Sequence, residues 1–348
     1  MKIVEKINKI KEIKENIKTS IENKGIDTTN KKFEEYPTLI DSIETGGSDD
    51  KDYTINNSDY LCYKLDNQNM IDFLCKNLKN SVNSYLYTFS ECIGSIPLFF
   101  KFNYINKKDN YSSSFINPFG LEYKYYNLEK TFYNYRNTKQ ISLNIDNSYP
   151  CYCYNTFYYS KSTSLKIENG KNEIWIGEGS SCFSYSSFTE LPTLNVEKCM
   201  TCNSMFQNAK VRKIVFKGRM GVENYDNVKP LHFGTSSTKP NLYNMFYNCS
   251  NLTSIQNLDL TNIYKTTNNN NMFYGCKNLK ELSFEGTENL QINLDLSSTG
   301  LEREGLLNML DTLPTLTKSI TLKIGTNKMN LLTEEDIANF TLKGYTLA

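Results

Sequence analysis

The stretch Asn244-Met245-Phe246-Tyr247-Asn248-Cys249-Ser250-Asn251-Leu252 returns 27 residues later as Asn271-Met272-Phe273-Tyr274-Gly275-Cys276-Lys277-Asn278-Leu279. Three residues beyond each leucine stands another apolar residue, Ile255 and Leu282. Self-similarity at a fixed period is the signature of repeated supersecondary units. Working outward, Ser204-Met205-Phe206-Gln207-Asn208-Ala209 leads to Ile214-Val215-Phe216, and Cys182-Phe183-Ser184-Tyr185-Ser186 leads to Leu191-Pro192-Thr193-Leu194. Further upstream lie Thr156-Phe157-Tyr158-Tyr159, Thr131-Phe132-Tyr133-Asn134-Tyr135 and Thr88-Phe89-Ser90-Glu91-Cys92. Successive phenylalanines are 43, 25, 26, 23, 40 and 27 residues apart. The two long intervals read either as one repeat with an insertion (100–130 and 217–240) or as a copy too eroded to see.

One such unit cannot bury its own apolar face, so neighbours must stack and share a core. Phe132, Phe157, Phe183, Phe206, Phe246 and Phe273 are expected inside that core, with Cys249, Leu252, Cys276, Leu279 and Leu282. The Met-Phe half of each copy should be a short helical or irregular turn, and the Leu-x-x-Ile half a short strand on the next rung. Outward strand positions include Ser142, Lys166, Asn195, Val215 and Ser283. Cys249 and Cys276 share a repeat position with Ala209, Ser186 and Cys92, a place for a small core-facing side chain, which favours thiol packing over a disulfide. The expected fold class is an α/β solenoid with a body over 52–297.

The pattern MFxxCxxLxxI resembles the BspA-like leucine-rich repeats over about residues 86–290, most specifically at 245–282. Copies before residue 180 lack Met and usually Cys. The resemblance implies an irregular leucine-rich repeat array with an outer face free for recognition.

Different patterns flank the body. Ile3, Ile7, Ile10, Ile13, Ile17 and Ile21 recur at the three- and four-residue spacing of an amphipathic helix. Lys24 and Gly25 read as its last turn and stop. The stripe either packs on its own chain or pairs with copies of itself. Heptad positions 3, 7, 10, 14, 17 and 21 hold Ile except at Lys14, beside Ile13, and Ile at both a and d positions favours three or four strands. Phe33, Tyr36, Leu39 or Ile40 and Ile43 complete this segment (1–45), and Gly46-Gly47-Ser48-Asp49-Asp50-Lys51 reads as a linker (46–51).

After the body, Thr299-x-x-Glu302 has capping-box spacing before Leu306, Leu307 and Leu310. Ile320 to Ile324 alternates as a strand. Thr333-x-x-Asp336, with Leu332 and Ile337 as a hydrophobic staple, opens a last helix that Gly344 ends. The expectation is a helix-strand-helix cap over 298–348. Residues 10–43 and the closing LLTEEDIANFTLKGYTLA resemble the terminal segments of structural proteins from tailed phages.

Composition narrows the function. Lys+Arg number 39 against Asp+Glu 38, so there is no cationic field of the kind nucleic-acid binding needs. No run approaches the ~18 apolar residues of a membrane span, and the first 25 residues carry no apolar signal core. His232 is the single histidine, which removes most nucleophilic and His-rich metal constellations. Of ten cysteines only Cys199 and Cys202 form a CxxC, and no second pair follows as zinc would require. Asp259, Glu281, Glu285 and Asp295 cannot be paired at a glycosidase distance from sequence. Gly218-Arg219-Met220-Gly221 and Gly177-Glu178-Gly179 lack phosphate-loop spacing. Asn, Lys, Ile and Tyr are abundant, a bias their AT-rich codons share. Tyr149, Tyr152, Tyr154, Tyr158 and Tyr159 offer contact area for a glycan or a protein, or else are core residues with a wet hydroxyl.

These observations, with the resemblances, point to a non-enzymatic virion protein without cofactor or metal. It would be a tail-fibre, baseplate or head-fibre component adhering to a bacterial envelope glycan or protein receptor. The amino-terminal helix would bind other virion proteins or form a homo-oligomer, with a trimer favoured; neither nucleic-acid binding nor membrane insertion is expected. A bacterial surface adhesin and a virion-borne cell-wall polymer hydrolase are the alternatives.

Overall fold

The fold comes from a computed structural model. It is described for residues 3–23, 27–32, 35, 61–77, 85–97, 100–102, 105–107, 123–146, 148–199, 201–221, 241–261, 263, 267–286 and 290–348. Among the described residues two helices come first, α1 (Ile3–Glu22) and α2 (Gln68–Lys76). Short strands follow: β1 (Ile105–Lys107), β2 (Tyr123–Asn127), β3 (Ile141–Leu143), β4 (Cys151–Tyr152), β5 (Leu165–Ile167), β6 (Glu173–Glu178), β7 (Thr193–Asn195), β8 (Lys213–Lys217), β9 (Ser254–Leu258) and β10 (Glu281–Phe284). Eight of these make one sheet in the order β1-β2-β4-β6-β7-β8-β9-β10. Only β1 and β2 are antiparallel; the other neighbours run parallel. Strands β3 and β5 form a separate parallel pair.

Two-residue periodicity explains these strands. Ile214 and Phe216 of β8 face the core between exposed Lys213 and Lys217, and Leu165 and Ile167 of β5 do so around exposed Lys166. Ser142, Asn195, Val215 and Ser283 stand half-exposed on the outer face, as their alternation predicts. Strand β6 is buried along most of its length because it pairs on both sides. Its first half registers Ile174 with Leu194, and its second half Ile176 with Cys151.

The Met-Phe segments between strands form paired turns. In every copy the residues two before and two after the phenylalanine have positive φ. They are Tyr87 and Glu91, Lys130 and Asn134, Asn155 and Tyr159, Ser181 and Tyr185, Ser204 and Asn208, Asn244 and Asn248, and Asn271 and Gly275. Each is the third residue of a turn, the place that type II turns give to a left-handed residue. Met245 N–H, for example, donates to Leu242 O, and Cys249 N–H to Phe246 O, both at 3.1 Å. Left-handed residues stop an α-helix.

Consecutive turns are bonded to one another. The N–H of Phe89, Phe132, Phe157, Phe183, Phe206 and Phe246 donates to the carbonyl just before the next phenylalanine, at 2.8–2.9 Å. Their rings stack in the same order through Phe273, with centroids 5.2–5.5 Å apart and planes within 12°. All seven rings are fully buried. Phe89 stacks directly on Phe132, and Phe206 on Phe246. The two long intervals are therefore insertions within one repeat. The first contains Phe100 and Phe102, which pack edge-on against Phe89, together with β1 and β2.

This architecture is a mostly parallel-strand sheet with few helices, and it corrects the expected α/β solenoid. Among the described residues no helix separates any two strands from β2 to β10; turns with two left-handed residues take that place. The carboxy-terminal part also departs from a helix-strand-helix cap. β11 (Leu294–Asp295), β12 (Ile320–Lys323) and β13 (Tyr345–Leu347) form their own parallel three-stranded sheet, connected through α3 (Arg303–Thr312), α4 (Thr326–Met329) and α5 (Glu334–Leu342).

Thr333 and Asp336 form the expected capping box, and Arg303 adds two bonds to the Asp336 carboxylate at 2.8 and 2.9 Å. That guanidinium, with the Thr333 N–H, holds Asp336 down to about 2. Thr299 and Glu302 form no capping box: the Thr299 hydroxyl donates to Leu296 O, and Glu302 makes no side-chain cap. Helix α1 ends at Glu22, and the expected stop at Lys24 and Gly25 lies outside the described residues.

The core is one cluster from Cys62 to Tyr345 and includes Leu252, Cys249, Cys276, Leu279 and Leu282. On α1, Ile21 is buried and Ile13 and Ile17 are half-buried. The side chains of Ile3, Ile7 and Ile10, the Phe33 to Ile43 pattern, the 46–51 linker and His232 lie outside the described residues.

Candidate functional site: a tyrosine row on the turns

The two residues after each phenylalanine are half-buried or exposed in most turns, with Ser90, Ser184 and Gly275 the buried exceptions. Tyrosine fills many of these places, and the turn-to-turn hydrogen bonds bring them into register. Tyr133 stacks on Tyr158 at 5.4 Å and 11°. Tyr158 meets Tyr159 and Tyr185 edge-on at 4.7 and 5.7 Å. Tyr159 and Tyr185 stack at 4.7 Å and 18°. Gln207 then donates to the Tyr185 hydroxyl at 3.4 Å, and the Asn208 N–H bonds to Tyr247 O. Tyr247 stacks on Tyr274 at 5.3 Å. At the other end Tyr87 lies edge-on to Tyr133 at 6.2 Å, under the Lys130 ammonium.

Tyr159 is 40 % and Tyr274 52 % exposed, while Tyr133, Tyr158, Tyr185 and Tyr247 are half-buried. Stacked rings turn their faces to each other, so the row offers solvent its ring edges and phenol hydroxyls. Partial burial and then the neighbouring phenols push the Tyr158 pKa up, keeping its hydroxyl a donor. Of the tyrosines singled out in the sequence, Tyr158 and Tyr159 join this row. Tyr154 is exposed beneath the same Lys130 ammonium that covers Tyr87, and Tyr149 packs against the core. Tyr133, Tyr185, Tyr247 and Tyr274 were not singled out, although their offset from each phenylalanine is legible in the repeats.

The other candidates are distributed differently. All ten cysteines are buried free thiols. Cys199 and Cys202 face each other at 3.3 Å between sulfurs, and Cys249 and Cys276 donate to Phe206 O and Phe246 O at 2.8 and 3.0 Å. Burial pushes the Cys249 thiol well up and Cys276 to about 12. Among the described residues no group of three or more His, Cys, Asp or Glu has the arrangement to hold a metal ion.

Of the carboxylates, Asp259 pairs with Arg219 at 3.6 Å and Asp295 with Lys323 at 2.8 Å. On the strand face the Lys217 ammonium grips both oxygens of buried Glu173 at 3.1 and 2.9 Å. A cleft of about 770 Å³ beside β12 is lined by Asn269, Gln291, Asn293, Thr315 and Thr317 among others. Among the described residues no helix is long and apolar enough to cross a membrane.

Searches for relatives return nothing: no family model, no curated protein and no solved structure matches the chain.

Proposed function

We propose that the chain is a structural protein of a tailed-phage virion, a tail-fibre, baseplate or head-fibre component that adheres to the host surface through its strand-and-turn body. The tyrosine row is the observation that carries this reading. It is a long surface of half-exposed aromatic side chains held in place by a buried stack of seven phenylalanine rings. Rigid aromatic side chains with a polar tip give contact area at low conformational cost, as in binding surfaces generally.

The phage assignment draws on the likeness of both chain ends to phage structural proteins. Helix α1, with its isoleucine stripe, is the proposed attachment to other virion proteins and to copies of the chain, a trimer being favoured. Two observations test the reading. Genes beside this one should encode portal, capsid or tail proteins, and fluorescently labelled full chain should decorate whole cells of the host. Neighbours devoted to cell-surface export and anchoring would replace the phage reading with that of a bacterial adhesin.

A further inference from the structure

The centre of the tyrosine row departs from what the fold favours. Two residues after the buried phenylalanine, the other turns place Glu91, Asn134, Asn208, Asn248 and Gly275, four of the five being types that accept positive φ readily. The two central turns place Tyr159 and Tyr185 there instead, at φ +58° and +57°. A bulky side chain in that conformation is sterically disfavoured, and such outliers cluster where a protein meets its ligands. Their rings stack on each other, with Tyr159 among the most exposed large side chains described.

We propose that the row from Tyr133 to Tyr274 is a binding rail for an extended, uncharged polysaccharide, with Tyr159 and Tyr185 as its central contacts. The inference rests on the adhesive reading above and names the class of receptor.

Three features select that occupant. First, the surface is periodic: successive turns follow at 5.2–5.5 Å, measured between phenylalanine rings, close to the advance per sugar unit of an extended pyranose chain. A regular row is matched along its length by a partner whose own repeat has the same spacing. Second, the central stretch is neutral. Tyr158, Tyr159, Tyr185, Gln207, Asn208 and Tyr247 carry no charge, so nothing there attracts a nucleic acid or an acidic polymer. Charge gathers at the amino-terminal end, where Lys130 covers Tyr87 and Glu91 pairs with Arg136. Third, phenol hydroxyls and side-chain amides both donate and accept, matching the hydroxyl-rich edge of a sugar chain.

The test uses the full chain and titrates it with glucose and N-acetylglucosamine oligomers from dimer to octamer, with heparin as the acidic control. The rail predicts affinity rising with oligomer length, and little response to heparin. Tyr159→Asn and Tyr185→Asn should each weaken binding by about tenfold with a melting temperature unchanged or raised, because Asn suits the left-handed backbone better. A purely structural pair would lower the melting temperature and leave binding alone, which overturns the proposal. So would affinity independent of length, preference for heparin, or no binding to any neutral oligomer. Host-cell binding that survives both substitutions and is abolished by protease treatment of the cells would point to a protein receptor, and overturns it too. The gene neighbourhood and whole-cell labelling are separate readouts, so failure of the rail leaves the virion reading to its own test.

Discussion

In the seven phenylalanine turns positive φ recurs at fourteen places, two per turn, and six of them are asparagines: 134, 155, 208, 244, 248 and 271. The short amide side chain tolerates this backbone and most other residues do not. The abundance of asparagine thus has a structural source besides codon bias, and it is visible in Asn244-Met245-Phe246-Tyr247-Asn248 once the pair flanking the phenylalanine is noticed. Serine at the small core-facing position is less well served. The hydroxyls of Ser160 and Ser186 are buried without a hydrogen-bond partner, where neighbouring turns place Ala209, Cys249 and Cys276. An unsatisfied buried hydroxyl costs about 1–3 kcal/mol. Ser160→Ala and Ser186→Ala should each raise stability in urea by about 1 kcal/mol; a loss would show that the hydroxyls are bonded.

Glu178 is the second test at this scale. It is buried, accepts from the Ser180 N–H at 2.7 Å and from the Thr201 hydroxyl, and burial raises its pKa from 4.5 to about 7. A carboxyl raised in the folded state contributes stability fully present below its unfolded pKa and lost as pH rises through the folded value. Melting temperature should therefore fall between about pH 5 and about pH 8 in the native chain, and fall less in Glu178→Gln.

Among the elements, the phenylalanine stack dominates. Phe183 lies between Phe157 and Phe206 and also meets Phe188, whereas Phe273 ends the stack beside Phe246 alone. Removing an interior ring opens a cavity that the hydrogen-bonded turns cannot close. Phe183→Ala should cost about 3–5 kcal/mol in equilibrium unfolding, and Phe273→Ala less. Equal costs would mean that the rings act independently. The inward places of these phenylalanines, and of Leu252 and Leu279, were legible because apolar residues recur at fixed offsets. The joining element was not: six residues beginning with a polar–Met–Phe pattern suit a helical turn as well as a pair of turns with left-handed third residues, and only those left-handed residues decide between them. Thr299 and Glu302 misled for a related reason. Capping-box spacing is satisfied by many sequences, and here the Thr299 hydroxyl finds Leu296 O three residues back.

For the whole molecule, one core joins the turn-bearing body to the carboxy-terminal sheet, and Ile21 of α1 is not part of it. Ile21 is nonetheless buried within the single chain, so the assembly role proposed above for the isoleucine stripe stands on its own test. Light scattering should give the full chain about three times the mass of its monomer, and residues 52–348 the mass of one. Two monomers would remove the stripe from consideration as a seam. The existence of repeats was legible in the sequence at this scale, but the class of fold was not. Repeat spacing reports that units pack on their neighbours, and leaves open what joins one strand to the next.

Phe89 and Phe132 touch although 43 residues separate them, and Phe206 and Phe246 touch across 40. Whatever is threaded through those two junctions leaves the column of rings unbroken. The second is a natural grafting point, where the intervening sequence can lengthen, shrink or be exchanged while the scaffold holds its form; the first also supplies the buried rings of Phe100 and Phe102 and is less free. What the protein displays there can diversify quickly without a change in how it stands.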